Sequence, residues 1–104
     1  MPRLKESTRA YSKQKSTIKK ALKELGAENI KISNGYYYFS GFATLPNQKI
    51  IYFSYHAAMN RYDEGNKEFL IREAESYKDY TGRSNTYAPL SVEGVKEHIK
   101  KRFL

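Results

Sequence analysis

A long amphipathic segment at the start of the chain restricts its fold more than any other feature. Wound at about 100° per residue, Leu4, Tyr11, Ile18, Leu22 and Leu25 fall in one narrow stripe, with Ala21 at its margin. Lys5, Arg9, Lys13, Lys19, Lys20 and Lys23 centre on the opposite side. The spacing predicts a helix over residues 7–25, ended by Gly26, which adopts a left-handed backbone without a Cβ penalty. A helix with one apolar stripe must bury it, so the rest of the chain has to supply an apolar face.

Strand-like runs supply it. Ile30 and Ile32 alternate with polar residues before Asn34-Gly35, and Tyr36-Tyr37-Tyr38-Phe39 follows. Asn-Gly between two such runs predicts a two-residue hairpin, pairing Ile32 with Tyr37 and Ile30 with Phe39. Those four then share one face, and Lys31, Ser33, Tyr36, Tyr38 and Ser40 share the other. Leu45-Pro46-Asn47-Gln48 reads as a second turn, leading to a third strand from Ile50 to Tyr55. A five-residue loop there puts Ile51 and Phe53 on the Ile30/Ile32 face, whereas a four-residue loop puts Ile50 and Tyr52 on it. The first gathers the larger apolar groups and is preferred. It leaves Tyr52 beside Tyr36 and Tyr38.

Ala57 to Asn60 reads as one helical turn, and Glu68 to Ala74 as a fourth strand with Phe69 and Ile71 inward. Residues 76–89 show no clear period and are either a functional loop or a strand the pattern hides. Ser91 is the expected N-cap of a last helix running to about Arg102. Val92, Val95, Ile99 and Phe103 form its apolar face, and Lys100, Lys101 and Arg102 sit at the C-terminal end, where the helix dipole favours cations. The expected architecture is one α+β domain over residues 1–104. In it an antiparallel three- to four-stranded sheet is flanked by an N-terminal and a C-terminal amphipathic helix (α-β-β-β-(β)-α).

Composition narrows the functional classes. Hydrophobic residues make up 39%, but ten Tyr and five Phe bury large areas each and build a core from few residues. With no Cys, disulfides and thiolate metal sites are excluded. The first residues are polar rather than signal-like, and no run has the length of a membrane span, so a cytoplasmic protein is expected. The net charge of +8 is concentrated: residues 1–25 carry eight Lys or Arg against Glu6 and Glu24, a net of +6. A localised charge makes a directed field, attractive to phosphate backbones, anionic membranes or acidic proteins.

Two aromatic features accompany it. Tyr36 and Tyr38, with Tyr52 and Lys31 nearby, form a candidate platform for base stacking, although strands favour Tyr in any case and protein interfaces are enriched in it. Tyr77, Lys78, Tyr80, Arg83 and Tyr87 interleave aromatic and basic groups around Gly82, a composition suited to single-stranded nucleic acid or a protein partner. The candidate nucleic-acid-binding residues are therefore Arg9, Lys13, Lys19, Lys20, Lys23, Tyr36, Tyr38, Lys78, Arg83, Lys100 and Lys101.

Catalytic signals are weak. His56 and His98 are the only histidines, and neither lies in a zinc-binding spacing. Asp63-Glu64 near His56 reads as a solvated turn, and the glycines are too scattered for a phosphate loop. No enzyme, cofactor or metal is expected. Leu4, Tyr11, Ile18 and Leu25 recur every seven residues, but the alternate heptad positions Ser7, Gln14 and Ala21 make a poor seam. Packing on the sheet is preferred, with a dimer through this helix as the alternative. The order helix–strands–helix is similar to double-stranded-RNA-binding domains in topology only. Where those domains open the second helix with a Lys-rich signature, this chain has Ser91-Val92-Glu93-Gly94, so the resemblance implies an arrangement and no site. The expected function is a small basic binding module for nucleic acid; the alternative is an adaptor or inhibitor docking on an acidic protein.

Overall fold

Seven elements follow one another in the computed structural model, which describes residues 2–58, 65–81 and 84–104, with side chains from Tyr11 onward. They are α1 (Pro2–Glu24), β1 (Glu28–Asn34), β2 (Tyr38–Thr44), β3 (Ile50–His56), β4 (Glu68–Ala74), β5 (Thr86–Pro89) and α2 (Val92–Arg102). The strands form one antiparallel sheet in the order β1-β2-β3-β4-β5, each paired with its neighbour in sequence. The fold is α+β, as expected, with five strands rather than three or four.

The extra strand lies in the segment without a period. In β5, Thr86 pairs with Ile71 and Ala88 with Phe69. Small residues therefore face the core while Tyr87 and Pro89 face out, the reverse of the pattern that marks a strand. Within 76–89, Thr86–Pro89 is strand. Asn60 and the rest of residues 59–64 lie outside the described residues, so the expected helical turn at 57–60 is not described.

Gly26 ends α1 as its sequence position requires. Its φ is +83°, its N–H donates to the Lys23 carbonyl, and the Ala27 N–H reaches back to Leu22. Those two bonds are a Schellman closure, satisfying carbonyls the helix end would leave open. The β2–β3 loop has five residues: Thr44 pairs with Ile50, and Leu45 N–H donates to Lys49 O across the loop. Ile51 and Phe53 accordingly point to the core and Tyr52 away from it.

The first hairpin is not the two-residue turn expected at Asn34-Gly35. Asn34 pairs with Phe39 and Ile32 with Gly41, leaving residues 35–37 between the strands, with Gly35 N–H donating to Tyr38 O at 2.8 Å. Neither Asn34 nor Gly35 has the positive φ that the tight turn demands. Two tertiary contacts outweigh the local preference. The Tyr11 hydroxyl donates to the Gly35 carbonyl at 2.7 Å, anchoring the wider turn to α1. Gly41 lets β1 and the Phe53 ring close in, where a Cβ would strike the Lys31 carbonyl oxygen and that ring. The slip on β2 is four residues, an even number, so Ile32, Phe39, Lys31, Ser33, Tyr38 and Ser40 keep their expected faces, whereas Tyr36 and Tyr37 leave the strand for the turn.

One sheet face carries the core. Phe39, Ala43, Ile51, Phe53, Tyr55, Phe69, Ile71 and Ala88 are buried beneath Tyr11, Ile18, Ala21 and Leu22 of α1 and Val95, Ile99 and Phe103 of α2. Phe39 is the hub, with ring centroids 5.4 Å from Tyr11, 6.0 Å from Tyr55 and 6.5 Å from both Phe53 and Phe69. Both helices cross this face in the same direction. α1 passes the β1–β2 turn at Tyr11 and ends near Pro46, and Asn47 of that β2–β3 loop donates to the Phe103 carbonyl at the end of α2. Ser91 caps α2 by accepting the Gly94 N–H. No helix among the described residues is long and apolar enough to cross a membrane.

His98 fastens α2 to the sheet. Its Nε2 lies 2.8 Å from Thr86 Oγ1, whose own proton goes to the Ile71 carbonyl at 2.6 Å. The hydroxyl can then only accept from the ring, which fixes the proton on Nε2. Burial, helped by Arg102 and opposed by Glu68, holds His98 below the usual histidine range.

Two outcomes test this packing. Phe39→Ala removes the hub ring and is expected to cost about 3–5 kcal/mol in urea unfolding; a loss under about 1 kcal/mol contradicts its role. As pH falls below the ordinary histidine value of about 6.5, the unfolded chain takes up the His98 proton before the folded one does. The melting temperature should therefore fall as pH drops from neutral toward 5, and His98→Gln should flatten that dependence. An unchanged slope in the variant contradicts the assignment.

Candidate nucleic-acid interface

Turning the apolar stripe of α1 onto the sheet forces its lysines outward. Lys13, Lys19, Lys20 and Lys23 are all exposed, and Ser16, Lys19, Lys20, Lys23 and Glu24 line a shallow groove along the helix. At 1.5 Å per residue the ridge from Lys13 to Lys23 is about 15 Å long. Arg9 belongs to the same helix, in the part where side chains are not described.

From Tyr11 to the end of α1 the only acid is Glu24, and a cation from the other helix already holds it. Lys96 Nζ of α2 lies 3.0 Å from Glu24 Oε1 and 3.6 Å from Glu93 Oε1. The Lys96 hydrogen bond, with Lys20 adding a smaller pull, keeps the Glu24 carboxyl below its usual range. The ridge is left with little internal compensation. Lys100 and Lys101 are exposed in the last turn of α2, on the same layer and at the same end of the sheet as Lys23. Cations thus sit at the negative dipole ends of both helices.

The aromatic candidates stand elsewhere. Tyr38 pairs with His56 on the sheet face opposite the helices and is half exposed; Tyr36 is similarly exposed in the β1–β2 turn. Tyr52 is no open platform. Its ring packs 5.2 Å from Phe42 and 6.1 Å from Tyr80, and the Arg72 guanidinium lies over it, 4.3 Å from its centroid.

Residues 75–81 fold across this outer face. Asp79 Oδ2 accepts the Glu75 N–H and Oδ1 accepts the Thr81 hydroxyl, while Ser76 Oγ accepts the Lys78 N–H. Arg72, buried with 3% exposure, donates to the Asp79 carbonyl at 2.6 Å and to the Glu73 carbonyl at 3.3 Å. Tyr77 and Tyr80 then lie against Phe42, at 5.5 and 5.3 Å, and Lys78 points to solvent. Arg83 and Gly82 lie outside the described residues.

The expected site residues therefore do not form one surface. Lys13, Lys19, Lys20, Lys23, Lys100 and Lys101 share the helix layer; Tyr38 and Lys78 lie across the sheet from them. Arg72 was missed. Its signal is its position facing Tyr52 across β3 and β4, legible only once the register is known. Among the described residues no group of three His, Cys, Asp or Glu could hold a metal ion. Asp63 and Glu64 are outside that description. A cleft of ≈ 360 Å³ is lined by Glu73, Glu75, Ser84, Thr86, Arg102 and Phe103, and the Thr86 hydroxyl there is bonded to the Ile71 carbonyl and to His98.

Asp79→Ala should release the 75–81 segment and leave buried Arg72 less well matched, costing about 1–3 kcal/mol. Amide exchange at Glu75 should accelerate in the same variant. Unchanged protection there contradicts the role of Asp79.

No family model, curated protein or solved structure matches this chain.

Proposed function

We propose that the protein is a small non-enzymatic module that binds nucleic acid through the outward side of α1. Lys13, Lys19, Lys20 and Lys23 contact phosphates, and Lys100 and Lys101 extend the patch. The observation that carries this reading is the uncompensated ridge. Four lysines are exposed along one helix, and Glu24, the one acid of α1 from Tyr11 onward, is engaged by Lys96. A solvated surface helix ordinarily intersperses both signs, whereas a phosphate-binding one gains by releasing counterions from its ligand.

Reversing charge with Lys13→Glu, Lys20→Glu and Lys23→Glu together should abolish oligonucleotide binding in fluorescence anisotropy. The fold should survive with only a small fall in melting temperature, because these side chains are exposed and the reversal costs helix-dipole and i,i+4 charge terms of about 1 kcal/mol. For the unmodified protein, four phosphate contacts predict a log K versus log[salt] slope of about −3.6 on duplex DNA. Undiminished affinity in the triple variant would remove α1 from the binding surface. Saturable binding of an acidic protein by a chain that ignores oligonucleotides would favour the adaptor reading.

A further inference from the structure

The exposed rings stand apart from the lysine ridge of α1, while Lys31 and Lys78 are exposed on the rings' own side of the sheet. Tyr38 and Tyr87 stand on the sheet face away from the helices, and Tyr80 on the segment folded over it. Between Tyr11 and Glu24, α1 has one aromatic, Tyr11 itself, and it is fully buried. The five-stranded sheet separates the two sets.

That separation bears on the kind of nucleic acid. A single strand is held by cations along its backbone together with rings on which its unpaired bases stack. A duplex keeps its bases stacked inside and presents phosphates, so cations on a rigid ridge are sufficient. Between Lys13 and Lys23 the ridge also lacks the planar Arg fork and the exposed Asn or Gln amide that fix base edges bidentately; its lysines are point charges suited to phosphate. From Lys13 to Lys23 it offers only lysine ammonium and serine or threonine hydroxyl groups, because Gln14 is turned inward with its Oε1 buried.

We propose that the ligand of α1 is duplex nucleic acid, gripped by its sugar–phosphate backbone without base readout. This deepens the nucleic-acid reading and depends on it. The ridge lies straight along one strand of the backbone, and the tyrosine face takes no part.

The test compares a labelled duplex of about 20 base pairs with one of its strands alone, titrated at matched salt. Three proteins are used: the unmodified chain, Lys13→Gln/Lys20→Gln/Lys23→Gln, and Tyr38→Ala/Tyr87→Ala. The duplex is expected to bind about tenfold tighter or more than the strand, and scrambling its sequence should change affinity by less than about threefold. The lysine variant should lose the duplex, and the salt slope should shrink by about 0.9 for each lysine that contacts a phosphate. The tyrosine variant should keep full affinity. Equal or tighter binding of the single strand, weakened by the tyrosine changes, overturns the duplex assignment while leaving nucleic-acid binding in place. No binding of either oligonucleotide at low salt removes the nucleic-acid reading itself.

Discussion

The rings of Tyr11 and Phe39 meet with centroids 5.4 Å apart, and much of the molecule follows from that contact. Both are fully buried, and the Tyr11 hydroxyl goes on to the Gly35 carbonyl. The middle of α1 is thereby pinned to the β1–β2 turn, and Ile18, Ala21 and Leu22 hold its C-terminal half on the sheet. With its rotation about its own axis fixed, the helix has no choice about where Lys13, Lys19, Lys20 and Lys23 point. The charge distribution is a consequence of core packing. A helix free to roll would average the same charges over all directions and present no ridge.

The two sides of the sheet treat cationic groups in opposite ways. On the helix layer the lysines stay in water, where their field extends to about a Debye length, roughly 8 Å at physiological salt. On the other side Arg72 is withdrawn from water, its guanidinium lying over Tyr52 and bonded to two backbone carbonyls. A buried cation without partners is expensive, and segment 75–81 folds back to supply them. Its tyrosines close the aromatic layer around Phe42 and Tyr52 as it does so. The Lys96–Glu24 pair lies at the surface, with Lys96 partly covered, and adds little stability, but it neutralises the one acid of α1 from Tyr11 onward.

The elements whose residues vote together were legible in the sequence. Both helices (α1 starting at Pro2, five residues before the expected start), the Gly26 stop, the Ser91 cap, the five-residue β2–β3 loop and the inward Phe69 and Ile71 follow from period and capping chemistry. The first hairpin was not, because Asn34-Gly35 states a strong local preference that a hydroxyl twenty-four residues away overrides. β5 was hidden by its inverted pattern, with small Thr86 and Ala88 facing the core and Tyr87 facing out. The lysine ridge could be read directly from helical spacing. That the tyrosines stand across the sheet from it depends on which face the helices cover, and no local pattern states that. Interleaved Tyr and Lys at 77–80 suggested a mobile binding loop; Tyr77 and Tyr80 are instead committed to covering Phe42.

The central claim is that one side of this molecule, the helix layer, meets the phosphates. Backbone amide shifts recorded by NMR during titration with a short duplex test it most directly. The account predicts perturbations confined to α1 between Lys13 and Glu24 and to the last turn of α2, with the amides of Tyr38, Tyr80 and Tyr87 unmoved. Shifts centred on those tyrosines, with α1 silent, would contradict it.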